Sequence, residues 1–294
     1  MKTKFYLALA LIAALITSSC SSSNNNDWVV SQTIPGCFSN TIDNTSDANE
    51  INGNLSVSIA INYTKVNSEV TITNIKLPDG SSFPQLKLSE LPITQTEGWY
   101  IIKADNLTVD TGSSNPPTIT NFELRLFERQ IGTGVSAEYQ PAMAVSFIIN
   151  SKYTVYITRA IQYLAGTTNC TGTNDSYSTK ETYYVFGIDP SKKILEIAMR
   201  NARFVEGMPK MNFNLRNINF TMHGNTVLFN ADALIPYVGN TPNDRYPITR
   251  LSGTLDPIRG FSISFDCTPG SMPGAEFMVN ANGTFTDTPT SEEN

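Results

Sequence analysis

Apolar and polar residues alternate with a period of two along most of the chain. Leu55, Val57, Ile59 and Ile61 are separated by small or polar residues, which is the pattern of a strand with one buried face. The segment 157–164 is short and lacks the capping signal of a helix, so we interpret it as strand or loop. The pattern therefore predicts an all-β fold. It recurs, between Gly, Pro, Asn or Asp residues, at Val70-Ile72, Leu86-Leu88, Phe122-Leu124-Leu126, Val145-Phe147-Ile149, Phe213-Leu215, Phe261-Ile263-Phe265 and Phe277-Val279.

Two parts of the chain resemble each other at a nearly constant spacing. Shared hydrophobic alternation does not explain the common asparagine, the acidic residue before a glycine, or the shared Ala-Asp pair, because turn residues specify backbone geometry. We therefore predict an internal duplication. The matches are residues 74–80 with 201–207 and Ala104-Asp105 with Ala231-Asp232 at an offset of 127, and residues 147–150 with 277–280 at an offset of 130.

The first residues have the features of a bacterial export signal. Lys2 and Lys4 precede an apolar run at 5–16 and then the small residues 17–19. A run of 12 residues is too short to cross a hydrocarbon core of about 30 Å. The cysteine that follows, Cys20, resembles the lipidated cysteine of a bacterial lipobox. We therefore predict that Cys20 is the first mature residue and carries a membrane-anchoring lipid.

Composition limits the partners of the mature chain. Removal of residues 1–19 takes away two lysines and moves the formal net charge from −6 to −8. The chain has no basic run, which argues against nucleic acid, since that affinity depends on Lys and Arg contacts to phosphates. Charged residues make up 16% of the sequence, below the usual share of about 25%. Hydroxyl and amide groups are therefore expected to solvate the surface.

The duplication and the leader together predict the domain organisation. Each copy holds roughly eight short strands, enough for a small antiparallel β-barrel or a two-layer β-sandwich, and both architectures stay open. The predicted parts are a signal peptide at 1–19, a lipidated flexible tether and N-terminal extension at 20–52, β domain 1 at 53–165, a linker at 166–178, β domain 2 at 179–286 and a polar tail at 287–294.

The second copy contains a series of strand and turn motifs: residues 211–220, 224–234, 251–255 and 261–265, Met272-Pro273 and Gly283-Thr284-Phe285. Together they resemble the calycin-like β-barrel domain of Bacteroidetes lipoproteins. The resemblance implies a barrel fold and a place in the cell envelope, and it supplies no catalytic residue. The first copy fits less closely, and the Gly-x-Trp sequence typical of lipocalins is missing from the first strand. Because Ser21 stands where an aspartate favours inner-membrane retention, we predict the outer membrane, with the membrane face left open.

Three cysteines remain after Cys20. Cys37 and Cys170 each lie in a polar segment ahead of a copy, and an oxidising periplasm would allow a disulfide between them. The alternative is that each cysteine is a separate buried thiol, since pairing cannot be read from sequence. Cys267 follows the predicted strand 261–265 and is interpreted as a small core residue.

The sequence offers little catalytic chemistry. His223 is the one histidine, and no CxxC, Gly-x-Ser-x-Gly, P-loop or Rossmann motif is present, so we predict no metal site and no cofactor. His223 is interpreted as an exposed turn residue. Asp105 and Asp232 occupy equivalent places in the two copies, and we interpret them as hydrogen-bond acceptors for turn amides rather than as a catalytic pair.

Aromatic residues give the positive indication of binding. Trp99-Tyr100 and Tyr183-Tyr184 place rings on both faces of predicted strands, so some rings would lie outside the core and could stack on a ligand. The alternative is that they cover the interface between the copies. Three hypotheses follow: a non-catalytic envelope lipoprotein that binds a glycan, small molecule or protein; a hydrolase of unrecognised type acting on glycans; or a structural or adhesive spacer.

Overall fold

The computed structural model describes residues 27–109, 116–131, 138–271, 276–285 and 287. The chain divides into two compact units between Ile157 and Thr158. The predicted leader, Cys20 and residues 21–26 of the tether lie outside the described residues. Within the described part, no helix is long and apolar enough to cross a membrane.

Antiparallel strands make up nearly all of the regular structure, so the all-β prediction is confirmed. A short 3-10 helix at Pro269–Ser271 precedes the last strand. The strands are β1 (Val29–Asp43), β2 (Asn49–Asn62), β3 (Asn67–Lys76), β4 (Ser82–Thr96), β5 (Trp99–Ala104), β6 (Leu107–Thr108), β7 (Thr118–Ile131), β8 (Glu138–Ile149), β9 (Tyr153–Arg159), β10 (Ile161–Ala165), β11 (Thr167–Thr171), β12 (Ser176–Thr179), β13 (Tyr183–Asp189), β14 (Ile194–Ala202), β15 (Met211–His223), β16 (Thr226–Leu234), β17 (Tyr237–Val238), β18 (Thr241–Pro242), β19 (Ile248–Asp256), β20 (Gly260–Cys267) and β21 (Phe277–Gly283).

The first unit is a closed barrel. Its strands follow the order β1-β2-β3-β4-β5-β7-β8-β9, and β9 pairs with β1, so the ring has no free edge. Burial alternates along β2 as the sequence predicts, since Val57 and Ile59 are buried whereas Ser58 is half-buried. Inward-facing side chains of this kind fill the barrel and form one continuous core.

The second unit is a curled sheet whose two ends are joined by the chain itself. β10 begins the strand order and β11 stands near its other end, yet only Gly166 separates them in sequence. A Cβ on Gly166 would overlap the carbonyl oxygen of Asn282, and a Cβ on Gly283 would overlap the carbonyl oxygen of Ala165. Glycine is therefore required where β10, β11 and β21 meet. We call this unit the second barrel.

Backbone conformation confirms the duplication. Left-handed residues are uncommon outside glycine, yet they recur at the predicted offset of 127. The break in strand pairing between Ser68 and Val70 likewise recurs between Leu195 and Ile197. Strands β3, β4 and β5 therefore correspond to β14, β15 and β16. The paired φ values are 55° and 55° at Val66 and Lys193, 61° and 55° at Asn74 and Asn201, 84° and 79° at Gly80 and Gly207, 58° and 58° at Glu90 and Asn217, and 51° and 62° at Glu97 and Gly224.

The predicted match of residues 147–150 with 277–280 is wrong. Phe147 lies in β8, between β7 and β9, whereas Phe277 lies in β21, between β20 and β11. The counterpart of β8 by position in the sheet is β20. The offset changes here because Arg125 of β7 pairs with Ala144, 19 residues later, whereas its counterpart Ser252 of β19 pairs with Ser264, 12 residues later.

Strands also occupy segments that the sequence assigned to connections. β1 lies within 20–52, and β11 and the start of β12 lie within 166–178. In each unit, this early strand pairs with the last strand, β9 or β21. The closing strands therefore come from the chain that precedes each recognised copy.

A polar network covers one end of the first barrel. The Tyr153 hydroxyl donates to Asp79 Oδ2 (2.6 Å) and accepts from Lys152 Nζ (2.6 Å), which also lies 3.4 Å from Asp43 Oδ2. The pKa of Asp79 is lowered to about 2 by hydrogen bonds, of which the one from the Ser81 hydroxyl has the largest effect and the one from Tyr153 the next largest. Those donors therefore favour the carboxylate.

Acid should weaken this end of the barrel. Because the pKa of Asp79 is lower in the folded protein than its ordinary 3.8, its contribution to stability is present above that value and is lost as the pH falls toward about 2. We expect Asp79→Asn to lower the melting temperature of the first barrel at pH 6 and to leave it unchanged at pH 2. Both tryptophans, Trp28 and Trp99, lie in this unit, so tryptophan emission reports its melting. An equal loss at both pH values would contradict the assignment.

Candidate ligand-binding site at the mouth of the first barrel

The opposite end of the first barrel holds an open cavity of about 280 Å³. This is close to the lower end of the range for small-molecule pockets, roughly 300–1,000 Å³. A narrow extension toward the core is lined in addition by Val30, Gln32, Ile59 and Leu126. We call the whole space the mouth cavity. Its outer part is lined by Ile61, Asn62, Tyr63, Val66, Ile93, Thr94, Gln95 and Tyr100.

Strand alternation positions the lining. Ile61 continues the inward row of β2, and Tyr63 stands two residues farther, in the turn after the strand. Tyr100 enters from the start of β5 and is 6% exposed. Ile61, Tyr63 and Tyr100 line both the outer part and the narrow extension. Six of the twelve lining residues are aliphatic, and two tyrosine rings stand where the cavity opens.

The segment before β1 is fastened to the edge of the cavity. The Tyr63 N–H donates to the Trp28 carbonyl (2.9 Å), and the Trp28 N–H donates to Thr64 Oγ1 (3.0 Å). The rings of Trp28 and Tyr63 contact each other with centroids 5.0 Å apart. Trp28 is 39% exposed and Val66 is 58% exposed. Trp28, Tyr63 and Val66 form what we call the rim.

Asp27 and Lys65 form an ion pair beside the rim, where the Glu90 carboxylate also acts on Lys65. Lys65 Nζ lies 2.8 Å from Asp27 Oδ2, which also accepts a hydrogen bond from Asn62 Nδ2 (3.2 Å). The hydrogen bond from Lys65 lowers the pKa of Asp27, and the same contact raises the pKa of Lys65. Both groups therefore stay ionised as a pair, and the rim presents an apolar surface.

Val66 is strained as well as exposed. Its φ of 55° is unfavourable for a β-branched residue, whereas asparagine adopts this conformation more readily. We expect Val66→Asn to raise the free energy of unfolding of the first barrel by about 1 kcal/mol, measured by denaturant titration of tryptophan emission. Lys193→Asn, at the same φ in the second barrel, is the matched control and should leave that emission curve unchanged. A Val66→Asn protein no more stable than the parent would show that the turn is not strained.

The interior of the second barrel is filled by aromatic rings at the equivalent positions. At the offset of 127, Val57, Ile59 and Ile102 correspond to Tyr184, Phe186 and Phe229. All six side chains are at most 3% exposed. Further rings join this group, since Phe261 lies 4.7 Å from Tyr184 and 5.3 Å from Phe186 between centroids. At these three positions the first barrel therefore has smaller interior side chains than its copy.

The residues at the mouth of the first barrel also differ from their counterparts in the second copy. Tyr63 corresponds to Pro190, and Tyr100 corresponds to Val227, so neither ring has an aromatic counterpart. Ile93 corresponds instead to Phe220, which is 5% exposed. In the first copy two rings stand at the opening while Phe122 and Phe147 pack in the core, whereas in the second copy the rings at the compared positions lie in the interior. The sequence signal that could have located Tyr63 and Ile93 is their difference from Pro190 and Phe220 at the corresponding positions of the second copy.

The predicted aromatic residues have different positions. Tyr100 lines the mouth cavity, and the Trp99 ring contacts Phe127 at 5.3 Å between centroids. Tyr183 is half-buried in β13. Tyr184 is fully buried, and its hydroxyl lies 2.8 Å from Thr168 Oγ1. The prediction of a ligand-stacking ring at Tyr184 is therefore wrong, because the register of β13 turns that side chain into the barrel.

The cysteines are buried thiols in the cores of the two units. Cys37 lies in the first unit, where its Sγ donates to the Ile34 carbonyl at 3.3 Å. Cys170 and Cys267 lie in the second unit, where burial raises the pKa of each to about 12. The structure contains no Cys37–Cys170 disulfide, so it corresponds to the buried-thiol alternative.

Asp105 and His223, which the sequence offers for catalytic chemistry, lie in different units. His223 is exposed at the end of β15. Asp105 Oδ1 accepts a hydrogen bond from the N–H of Asn121 in β7 (3.1 Å), so it is a structural acceptor, though for a strand amide rather than the predicted turn amide. The part of the chain that the structure describes contains no group of three or more His, Cys, Asp or Glu side chains that could hold a metal ion.

A second, more polar cavity of about 340 Å³ lies in the second unit. Asp175, Tyr177 and Glu206 contribute polar groups to it, and Phe277 contributes an aromatic edge. Asp175, Glu206 and Gly207 of this lining are exposed residues outside strands. The mouth cavity differs in having a mainly apolar lining, contributed largely by strands.

No family model matches the chain, and no characterised protein matches it in sequence. Among solved structures, it is similar to a candidate outer membrane protein of Bacteroides fragilis, at 13% identity and a TM-score of 0.35, over 86% of this chain and 97% of that chain. It is also similar to a double mutant of Transferrin Binding Protein B, a vaccine antigen of Haemophilus parasuis, at 7% identity and a TM-score of 0.23, over 87% of this chain and 76% of that chain.

Proposed function

We propose that this protein is an outer-membrane lipoprotein, anchored through Cys20, whose first barrel binds a small apolar ligand in the mouth cavity. The observation that carries the proposal is the difference between the copies. Ile59 and Ile93 line the mouth cavity of the first barrel, and the corresponding strand positions hold Phe186 and Phe220 in the second barrel. Anchoring is supported by the charged, apolar and small-residue segments that precede Cys20.

The lining favours an uncharged ligand with a mainly hydrocarbon surface. Ile59, Ile61 and Ile93 supply aliphatic contacts, and burial of such surface contributes about 25 cal/mol per Å². The tyrosine hydroxyls and the Gln32 amide can supply a few oriented hydrogen bonds, which is the usual division of labour in small-molecule sites. A strongly charged ligand would lose its hydration without gaining a partner.

Binding accounts for this cavity better than hydrolysis does. The lining contains no carboxylate, histidine or cysteine. The buried carboxylates of the described chain, Asp43 and Asp266, lie in different units. Asp43 is held by Thr45 and Lys152, and Asp266 is paired with Arg250. The mouth cavity therefore lacks the two facing carboxylates that glycoside hydrolysis uses.

Fluorescence titration with N-phenyl-1-naphthylamine, an uncharged apolar probe, tests the binding proposal. We expect saturable uptake by the chain that begins at Cys20, together with energy transfer from tryptophan, because Trp28 and Trp99 both lie in the first unit. Trp28→Phe combined with Trp99→Phe should abolish the transfer and keep the directly excited signal. Absence of uptake, or uptake without transfer, would overturn the assignment to the mouth cavity. Mass spectrometry of the protein from bacterial membranes tests lipidation of Cys20 separately.

A further inference from the structure

The two ends of the first barrel have opposite surfaces. At the closed end, Asp43, Asp79 and Lys152 form a network of charged groups and hydrogen bonds. At the mouth end, the rim exposes Trp28 and Val66, and the neighbouring charges of Asp27 and Lys65 are paired. Trp and Tyr side chains favour the boundary between hydrocarbon and water. The mouth end is therefore the one suited to contact a lipid surface.

Val66 is an unusual residue for an exposed turn. It carries a β-branched apolar side chain with φ at 55°, and the copy places Lys193 at the same position with the same φ. Exposure and backbone strain both disfavour valine here. Strain that persists at a surface is often associated with a functional contact. Contact with hydrocarbon would give this side chain a favourable environment.

The start of the described chain fixes the distance to the anchor. Asp27 is paired with Lys65, and Trp28 is hydrogen-bonded to Thr64, so the chain enters the barrel at the rim. Only residues 21–26 separate Cys20 from Asp27. Seven Cα–Cα steps span at most about 25 Å. A lipid on Cys20 therefore keeps the rim within about 25 Å of the point where that lipid enters the membrane.

We infer that the rim is a membrane-contact surface, and that the anchored protein holds the mouth cavity against the bilayer. The inference rests on the proposed lipidation of Cys20. It places the cavity where an apolar molecule could pass between the bilayer and the barrel without crossing water. The partner is the lipid surface itself, contacted by Trp28, Tyr63 and Val66.

Quenching by brominated lipid tests this contact. A maleimide lipid is coupled to Cys20 of the chain 20–294, which is selective because Cys37, Cys170 and Cys267 are buried. Trp99→Phe leaves Trp28 as the reporting tryptophan. In phosphatidylcholine vesicles with brominated acyl chains, we expect Trp28 emission at least twofold lower than in unbrominated vesicles. Equal emission in the two kinds of vesicle would overturn the inference.

A pair of matched variants separates contact from mere proximity. Val66→Asp puts a charge on the rim without adding backbone strain, since aspartate tolerates this φ, and it should abolish at least half of the quenching. Lys193→Asp makes the corresponding change at the equivalent turn of the second barrel and should leave quenching unchanged. Quenching that persists in full in Val66→Asp would show that the rim does not contact lipid.

The outcome of the quenching experiment does not depend on whether the proposed function is right. Chemical coupling imposes the anchor whether or not bacteria lipidate Cys20, and probe uptake is measured without vesicles. Loss of quenching with normal probe uptake would overturn the membrane contact alone. Loss of probe uptake with normal quenching would overturn the ligand-binding proposal alone.

Discussion

We expect the Gly283→Ala substitution to lower the melting temperature of the second barrel by about 10 °C or more, while the first barrel melts as before. A Cβ at this position would overlap the carbonyl oxygen of Ala165 and lie 2.7 Å from the Cα of Gly166. Both contacts are with backbone, so no side-chain rotation can relieve them. Overpacking of this kind costs about 3 kcal/mol, and here it acts where the curled sheet closes.

The measurement separates the two units without dividing the chain. Far-ultraviolet circular dichroism follows the melting of both barrels, whereas tryptophan emission follows the first barrel alone. Gly187→Ala is the matched control, because a Cβ on Gly187 of β13 meets no atom within 4 Å, and it should change stability by less than about 0.5 kcal/mol. A Gly283→Ala protein as stable as Gly187→Ala would show that the sheet does not close at Gly166.

Much of the strand framework could be predicted because it depends on local patterns. The alternation at Val57, Ile59 and Ile61 identifies an inward row, and the offset of 127 identifies matching turns such as Asn74 and Asn201. The closing strands β1 and β11 were missed for a physical reason. Each pairs with a strand more than 100 residues later in the sequence, so no local pattern indicates the pairing.

The candidate site was harder to predict than the fold. Tyr100 was identified as a binding residue, but Tyr63, Ile93 and Val66 were not, since a cavity depends on volume that side chains leave empty. Two adjacent tyrosines, Tyr183 and Tyr184, could not be assigned to faces without the register of β13. The burial of Thr182, Tyr184, Phe186 and Ile188 in that strand and just before it shows which face turns inward.

Duplication explains how one copy can acquire a cavity at little risk to the whole chain. A barrel needs inward side chains to fill its interior, and cavities in a core are destabilising. In the second barrel, Tyr184, Phe186 and Phe229 supply that filling. In the first barrel, Ile59 and Ile93 stand where the second barrel has Phe186 and Phe220, and both line the mouth cavity, so the second copy serves as a natural reference for the first.

Transfer of two rings from the second barrel into the first should therefore abolish most ligand binding. Ile59→Phe and Ile93→Phe install the residues found at Phe186 and Phe220. One ring would occupy the narrow extension and the other would reach across the opening. We expect the combined variant to bind N-phenyl-1-naphthylamine at least tenfold more weakly than the parent, a loss of about 1.4 kcal/mol.

Two controls make the ring transfer decisive. Phe220→Ile makes the reverse change in the second barrel, and we expect the probe affinity to stay as in the parent. Ile93→Phe alone alters a partly exposed position and avoids overpacking of the core at Ile59, so it should keep the parent's melting curve by tryptophan emission and still weaken binding. If a folded combined variant binds the probe with the parent's affinity, the ligand does not enter the first barrel. If Phe220→Ile alters the affinity and the combined variant does not, the site lies in the second barrel.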